Sequence, residues 1–319
     1  MLNNRPIIVD CDTGRDDALA LWLAIKLGHN LAGVITSYGN TNVENVTDNT
    51  AGVLSFIGAD SIPVLKGCAA PSYHHKAYRD VVIPRQQASG NGLCNIIIPT
   101  KRENYQSAIS IEAYADFICD IAEKQGKIDY IILGPATNFA NLCQYMGDEI
   151  ISVISSVTML GGKVGDLWQK NPVADFNVIC DPAAVSVVLK TALKKKFITL
   201  DSTWDISISL DDVLNLLPMG SIGNKTKEII EKFCREFAPE PIFRFHDPSV
   251  MLLYNHSNYL EWCVDINLDE NHSEYGRLYR VESGGAMVGI CDYKNLDRSF
   301  LLKIMLNALD LGHASATNS

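Results

Sequence analysis

Four carboxylates, Asp10, Asp12, Asp16 and Asp17, fall within eight positions of the stretch RPIIVDCDTGRDDALALWLAIKLG, residues 5–28. Gathered together they would repel one another, and a hard divalent cation bound through oxygen removes that repulsion. Such a cation lowers the pKa of its water, and an adjacent carboxylate, with Asp12 the candidate, accepts the proton. The elements that must hold these groups are readable around them. Ile7-Ile8-Val9 is a β-branched run, Gly14 marks a bend, and Ala18, Leu19, Leu21, Trp22, Leu23 and Ile25 make a segment apolar all round. That order predicts a strand, a tight turn and a buried helix. In the strand Asp10 and Asp12 would share a face about 7 Å apart, from a rise of ~3.3 Å per residue. Asp16 and Asp17 would occupy the first turn of the helix, at the positive end of its dipole, with Thr13 as a cap. A capped helix with solvated acids accounts for Asp16 and Asp17 but leaves Asp12 without a role.

The whole chain bounds the setting. With 319 residues, 47% of them hydrophobic, it can bury a large core. No apolar run reaches membrane-spanning length and MLNNRP is not a secretory core, so a cytoplasmic protein without membrane contact is expected. Nine cysteines without a C-x-x-C pair or zinc-ligand spacing argue for reduced, packed thiols. A formal charge of −10 disfavours nucleic acid as a partner, and the one basic cluster, Lys194 to Lys196, reads as solvated residues preceding a strand.

Strands and helices alternate along the chain. Leu31 to Thr36 reads as a strand ending near Asn40, residues 43–57 as a helix, Ile62 to Leu65 as a strand and 108–125 as a helix. The apolar runs IDYIIL and SVTML, and Phe197 to Leu200, supply further strands. Asp181-Pro182 suits a helix start, helices are expected over 211–216 and 223–236, and the chain closes with strands and an amphipathic helix. The pattern predicts an α/β fold with a mainly parallel central sheet and helices on both faces. Ligands then gather beyond the carboxyl ends of the strands, where Asp12 and Asn40 fall. Residues 71–105 are long, polar and weakly periodic, which suggests a mobile loop over the site; His74 and His75 within it read as solvated.

Four blocks, in order, resemble the inosine-uridine-preferring nucleoside hydrolase family. DCDTGRDDA (10–18) is similar to its amino-terminal D-x-D-x-G-x-D-D-A, and GPATNFA (134–140) to its G-[GP]-L-T-N-[IL]-A turn. LGG (160–162) followed by DFNVICDPAA (175–184) is close to the G-G…E-F-N-x-x-x-D-P-x-A block, and His246-Asp247-Pro248 resembles the carboxy-terminal H-D-P. The resemblance implies one open, Rossmann-like domain over 1–319, with a helical segment of about 205–245 flanking the site. It implies Ca2+ held by Asp12, Asp17, Asp247 and the Leu133 carbonyl. It implies ribose held by Asp16, Asn40 and Asn177, with Gln169 and Asp175 near positions where the family has Asn and Glu. The reaction implied is hydrolysis of the N-glycosidic bond of ribonucleosides in nucleobase salvage, with Asp12 as base and His246 protonating or orienting the departing base. A homodimer or homotetramer goes with it. Two departures stand out. Ala88 to Cys94 matches a loop written H-G-x-x-G-L-D but lacks its His and Asp, and Asp175 is one methylene shorter than Glu, pointing to a modified nucleoside.

Two other classes remain open on the sequence. A haloacid-dehalogenase phosphatase would use Asp10 as nucleophile, although Gly14 stands where that family has Thr. A ribose- or nucleoside-binding protein without catalysis would keep the cation and sugar contacts alone. Phe237, Phe243, Phe245 and Trp168 could stack on a base or fill the core.

Overall fold

The computed structural model of the chain describes residues 5–100, 105–106, 110–256 and 258–313. Its strands are β1 (Ile7–Cys11), β2 (Leu31–Thr36), β3 (Val64–Lys66), β4 (Tyr105–Gln106), β5 (Ile128–Ile132), β6 (Ile154–Leu160) and β7 (Lys194–Ile198), then β8 (Ser207–Ser209), β9 (Leu216–Pro218), β10 (Ile242–Arg244), β11 (Tyr259–Ile266), β12 (Leu278–Arg280), β13 (Ala286–Cys291) and β14 (Leu311–His313). Ten of them form one sheet in the order β12-β11-β13-β7-β6-β5-β1-β2-β3-β4. The run from β13 to β4 is parallel, and β11 with β12 closes one edge antiparallel.

Alternation along β1 shows how both faces are covered. Ile7, Val9 and Cys11 join the apolar cluster that contains the helix Arg15–Lys26, while Ile8 joins the opposite cluster with Tyr130 and Phe139. From β1 the chain winds outward through β2 and β3 on one side and through β5, β6 and β7 on the other, so the order reverses between β1 and β5. Loops leaving strands on either side of such a reversal splay apart and leave a crevice at their carboxyl ends.

The expected elements are present with shifted limits, at 43–56, 64–66, 111–125, 210–215 and 220–236. The segment between 205 and 245 also carries one ribbon, β8 with β10, and the strand β9, which pairs with β14. The expectation of a loose loop over 71–105 is corrected. Tyr78–Val82 is a π-helical turn and Ile83–Ala88 a helix, while Leu93, Cys94, Ile96 and Ile98 enter the core. Of that stretch, residues 101–104 lie outside the described residues. Periodicity failed here because the stretch is anchored by single apolar side chains rather than by one face. His75 is buried, not solvated: its Nε2 lies 3.0 Å from the Cys180 carbonyl and its Nδ1 accepts the Tyr78 N–H. Lys194 to Lys196 do not precede a strand but begin β7, and the ammonium groups of Lys195 and Lys196 donate to the carbonyls of Thr191 and Tyr254. All nine cysteines are free thiols, as composition suggested.

Candidate active site

Asp12 leaves the end of β1, and two glycines shape its place. A Cβ on Gly39 would lie 2.0 Å from its Oδ2, and one on Gly134 would lie 2.8 Å from its Oδ1. Only a backbone without side chains can close around this carboxylate. The Asn40 N–H donates to Asp12 Oδ2 at 2.6 Å, and the Asn40 Nδ2 donates to the Asp12 carbonyl and to Asp17 Oδ2, both at 3.2 Å. Asn40 therefore ties two acids together.

The helix that follows is capped differently from expectation. Gly14 is its N-cap, and the Gly14 N–H donates to Asp17 Oδ2 at 3.0 Å. Thr13 instead sits against Thr50 Oγ1 at 2.7 Å and Cys11 Sγ at 3.2 Å, since its hydroxyl turns into the buried side of the strand. Pro248 lies in the first turn of the helix His246–Leu253, which packs on the helix Arg15–Lys26 and brings Asp247 to the same end. Carboxylate oxygens of Asp16, Asp17 and Asp247 lie within 4.8 Å of one another. Asp17 and Asp247 are buried, and Asp17 Oδ1 has no hydrogen-bond partner. Burial first, and the neighbouring acids second, push the carboxyls of Asp12, Asp17 and Asp247 well above the ordinary range. An unpartnered buried oxygen inside a cluster of acids fits an oxygen-seeking divalent cation.

These groups open into a cavity of about 810 Å³. Asp12, Asp16, Asn40, Leu133, Asp175, Asn177, His246 and Asp247 all line it, and Asp17 lies just behind. Gln169 does not reach it: that side chain is exposed on the helix Asp166–Lys170, and Asn171 lines the wall instead. The Leu133 carbonyl accepts from Asn177 Nδ2 at 2.5 Å. Asp175 caps the short helix Phe176–Cys180, accepting from the Val178 N–H at 3.3 Å. His246 Nδ1 lies 2.7 Å from Thr203 Oγ1, and burial lowers its pKa to about 4.

Asp10 belongs to another network. It is fully buried, accepts from Tyr130 Oη and Asn138 Nδ2, both at 2.9 Å, and does not line the cavity. Its burial raises its pKa to about 7 despite those bonds. A nucleophilic Asp10 is incompatible with that position. Of the aromatic candidates, Phe243, Phe245 and Trp168 are buried and Phe237 packs on the core. Phe176, Trp204 and Tyr275 line the cavity in their place.

Residues that motif reading did not single out also reach the wall: Arg15, Arg85, Lys163 and Trp204. Arg15 was legible as the variable position of the first motif; Arg85 lies in the stretch whose periodicity failed. Lys163 is 6% exposed and donates to the carbonyls of Asn171 and Val173, holding that loop beside Asp175.

Comparison with known proteins identifies the family. Residues 7–303 match the family model described as inosine-uridine preferring nucleoside hydrolase. The pyrimidine-specific ribonucleoside hydrolase RihA of Photobacterium profundum is 29% identical over 232 residues, 72% of each chain. The protein of that name from Escherichia coli strain SMS-3-5 is 28% identical over 252 residues, 76% of this chain and 77% of its own. Among solved structures, a plant nucleoside hydrolase superposes with a TM-score of 0.77 at 21% identity, covering 96% of this chain and 99% of that one. A purine-preferring ribonucleoside hydrolase from Gardnerella vaginalis gives 0.77 at 19% identity, covering 96% and 98%. No helix among the described residues is long and apolar enough to cross a membrane. With a family match running from β1 to the middle of the last helix, a span that includes the acids lining the cavity, the chain belongs to the inosine-uridine preferring nucleoside hydrolases and is a hydrolase of N-glycosyl bonds.

Proposed function

We propose that the cavity hydrolyses ribonucleosides to ribose and free base with a calcium ion held by Asp17 and Asp247, assisted by Asp12 and the Leu133 carbonyl. The observation that carries this reading is Asp17 Oδ1, buried and unpartnered among the carboxylates of Asp16 and Asp247. An all-oxygen donor set without Cys or His suits calcium better than zinc. When bound, the cation supplies Lewis-acid activation of the attacking water.

The chain's own residues do the rest. Asp12, fixed by Gly39, Gly134 and the Asn40 N–H, takes the proton from water. Asp16 and Asn177, which both line the cavity, grip the ribose hydroxyls, so binding away from the breaking bond orients C1′. His246, held by Thr203, orients the base. The cavity is large enough for a modified nucleoside as well as an ordinary one.

The test is ribose release from purine, pyrimidine and modified ribonucleosides, with calcium and with chelator, alongside Asp12→Asn. Release that needs metal and falls about 100-fold or more in Asp12→Asn supports the reading. Tight nucleoside binding without turnover would favour a binding protein, and turnover indifferent to chelator would remove the metal.

A further inference from the structure

Arg15 and Arg85 both line the cavity, and among the described residues neither has a carboxylate at ion-pair distance. Each guanidinium is instead laid on an aromatic ring, Arg15 4.0 Å from the centre of Phe233 and Arg85 3.7 Å from that of Phe176. Stacking fixes a guanidinium plane while leaving its N–H donors unused. Desolvation of its guanidinium first, and the charge of Arg15 second, lower the pKa of Arg85, while the residue as a whole stays exposed. Arg15 also acts on His246, and Arg85 on Asp12 and Asp16. Two guanidinium groups thus reach a cavity that carboxylates also line, stacked on rings and with N–H donors left for a bound group.

Cleavage of an N-glycosidic bond creates a negative charge. The C1′–N bond breaks with its electron pair going to the base nitrogen, the water oxygen bonds to C1′, and the water proton passes to Asp12 and then to solvent. We propose that Arg85, with Arg15 lining the same cavity, holds the negative charge that builds on the departing base, so that the base leaves as an anion and takes its proton from solvent. A guanidinium cannot act as the acid at neutral pH, which separates this role from leaving-group protonation. Phe176 lies between Asp175 and Asn177, so the same ring that places Arg85 belongs to the sugar-facing wall. The assignment rests on the ribonucleoside-hydrolase reading above.

The experiment compares wild type, Arg85→Ala and Arg85→Lys on uridine and inosine and on p-nitrophenyl β-D-ribofuranoside, whose leaving group needs no stabilisation. Melting temperature and calcium titration check the fold and the carboxylate cluster. Arg85→Ala is expected to lower kcat about 100-fold on the nucleosides and under about fivefold on the nitrophenyl riboside. Arg85→Lys, which keeps the charge, recovers part of the loss, and added guanidinium ion partly rescues Arg85→Ala. Equal losses on both substrate types, or no loss on nucleosides, overturn the proposal while leaving the hydrolase reading intact. Wild type that cleaves neither type removes that reading, and the proposal falls with it.

Discussion

Gly39→Ala is the sharpest perturbation of the site, because it adds one methyl group and removes no functional atom. The added Cβ would lie 2.0, 2.6 and 2.7 Å from Oδ2, Cγ and Cβ of Asp12. All three are inside contact distance. The carboxylate must therefore shift by about 1 Å or more, breaking the 2.6 Å bond from the Asn40 N–H. A displacement of that size at a reacting group costs about 100-fold in rate, or about 2.7 kcal/mol of barrier. Overpacking at a buried point costs about 1–3 kcal/mol of stability. The assay is steady-state kcat and KM for ribose release, with thermal melting in calcium to confirm folding. Gly39→Ala should lose turnover while Asp12→Asn in the same background loses little more, since both act through one carboxylate. A folded Gly39→Ala enzyme with turnover within about threefold of wild type would refute the assignment of Asp12, because no placement of that carboxylate would then matter.

Other consequences can be measured more briefly. The acids of the cluster have folded pKa values raised above their unfolded ones, so the metal-free fold holds more protons than the unfolded chain. Their contribution to stability is present below the ordinary carboxylate range and is lost as pH rises through the folded values, near 7 for Asp17. Melting in chelator should thus fall from pH 5 to pH 8, and calcium should raise it most at pH 8; a chelated protein that gains stability over that window contradicts the buried cluster. Asp10→Asn should cost about 1–3 kcal/mol by disturbing the bonds from Tyr130 and Asn138, yet keep turnover within about tenfold, as melting and kinetics will report. Gln169→Ala should leave KM for ribonucleosides within about twofold, since that side chain is exposed outside the cavity.

The sheet was legible because buried parallel strands are continuous apolar runs, and β1, β2, β5 and β6 announce themselves that way. The acids were legible for a related reason: Asp12, Asp16, Asp17 and Asp247 sit where an apolar element stops and charge has no local compensation. What failed was direction. Two residues apart in a strand share a face, but β1 ends at Cys11, so Asp12 is released to the crevice while Asp10 stays against Tyr130. Gln169 failed for the opposite reason, since a short helix turned it outward and left Asn171 facing in. Arg85 gave no signal at all, because its partner is the ring of Phe176, 91 positions away, and stacking leaves no periodic trace.

The packing of the helix Arg15–Lys26 against the helix His246–Leu253 joins two ends of a long interval. Asp17 and Asp247 are separated by 230 positions. At a synthesis rate of about 5–20 residues per second, that interval lasts roughly 10–50 s. Throughout it the amino-terminal acids are already made but lack the helix that completes their cluster, so a nascent chain carries the most conspicuous motif of the protein without the site it belongs to. Assembly of the active site is thus a closing event of biosynthesis, dependent on chain emerging from the ribosome long after β1 and its helix.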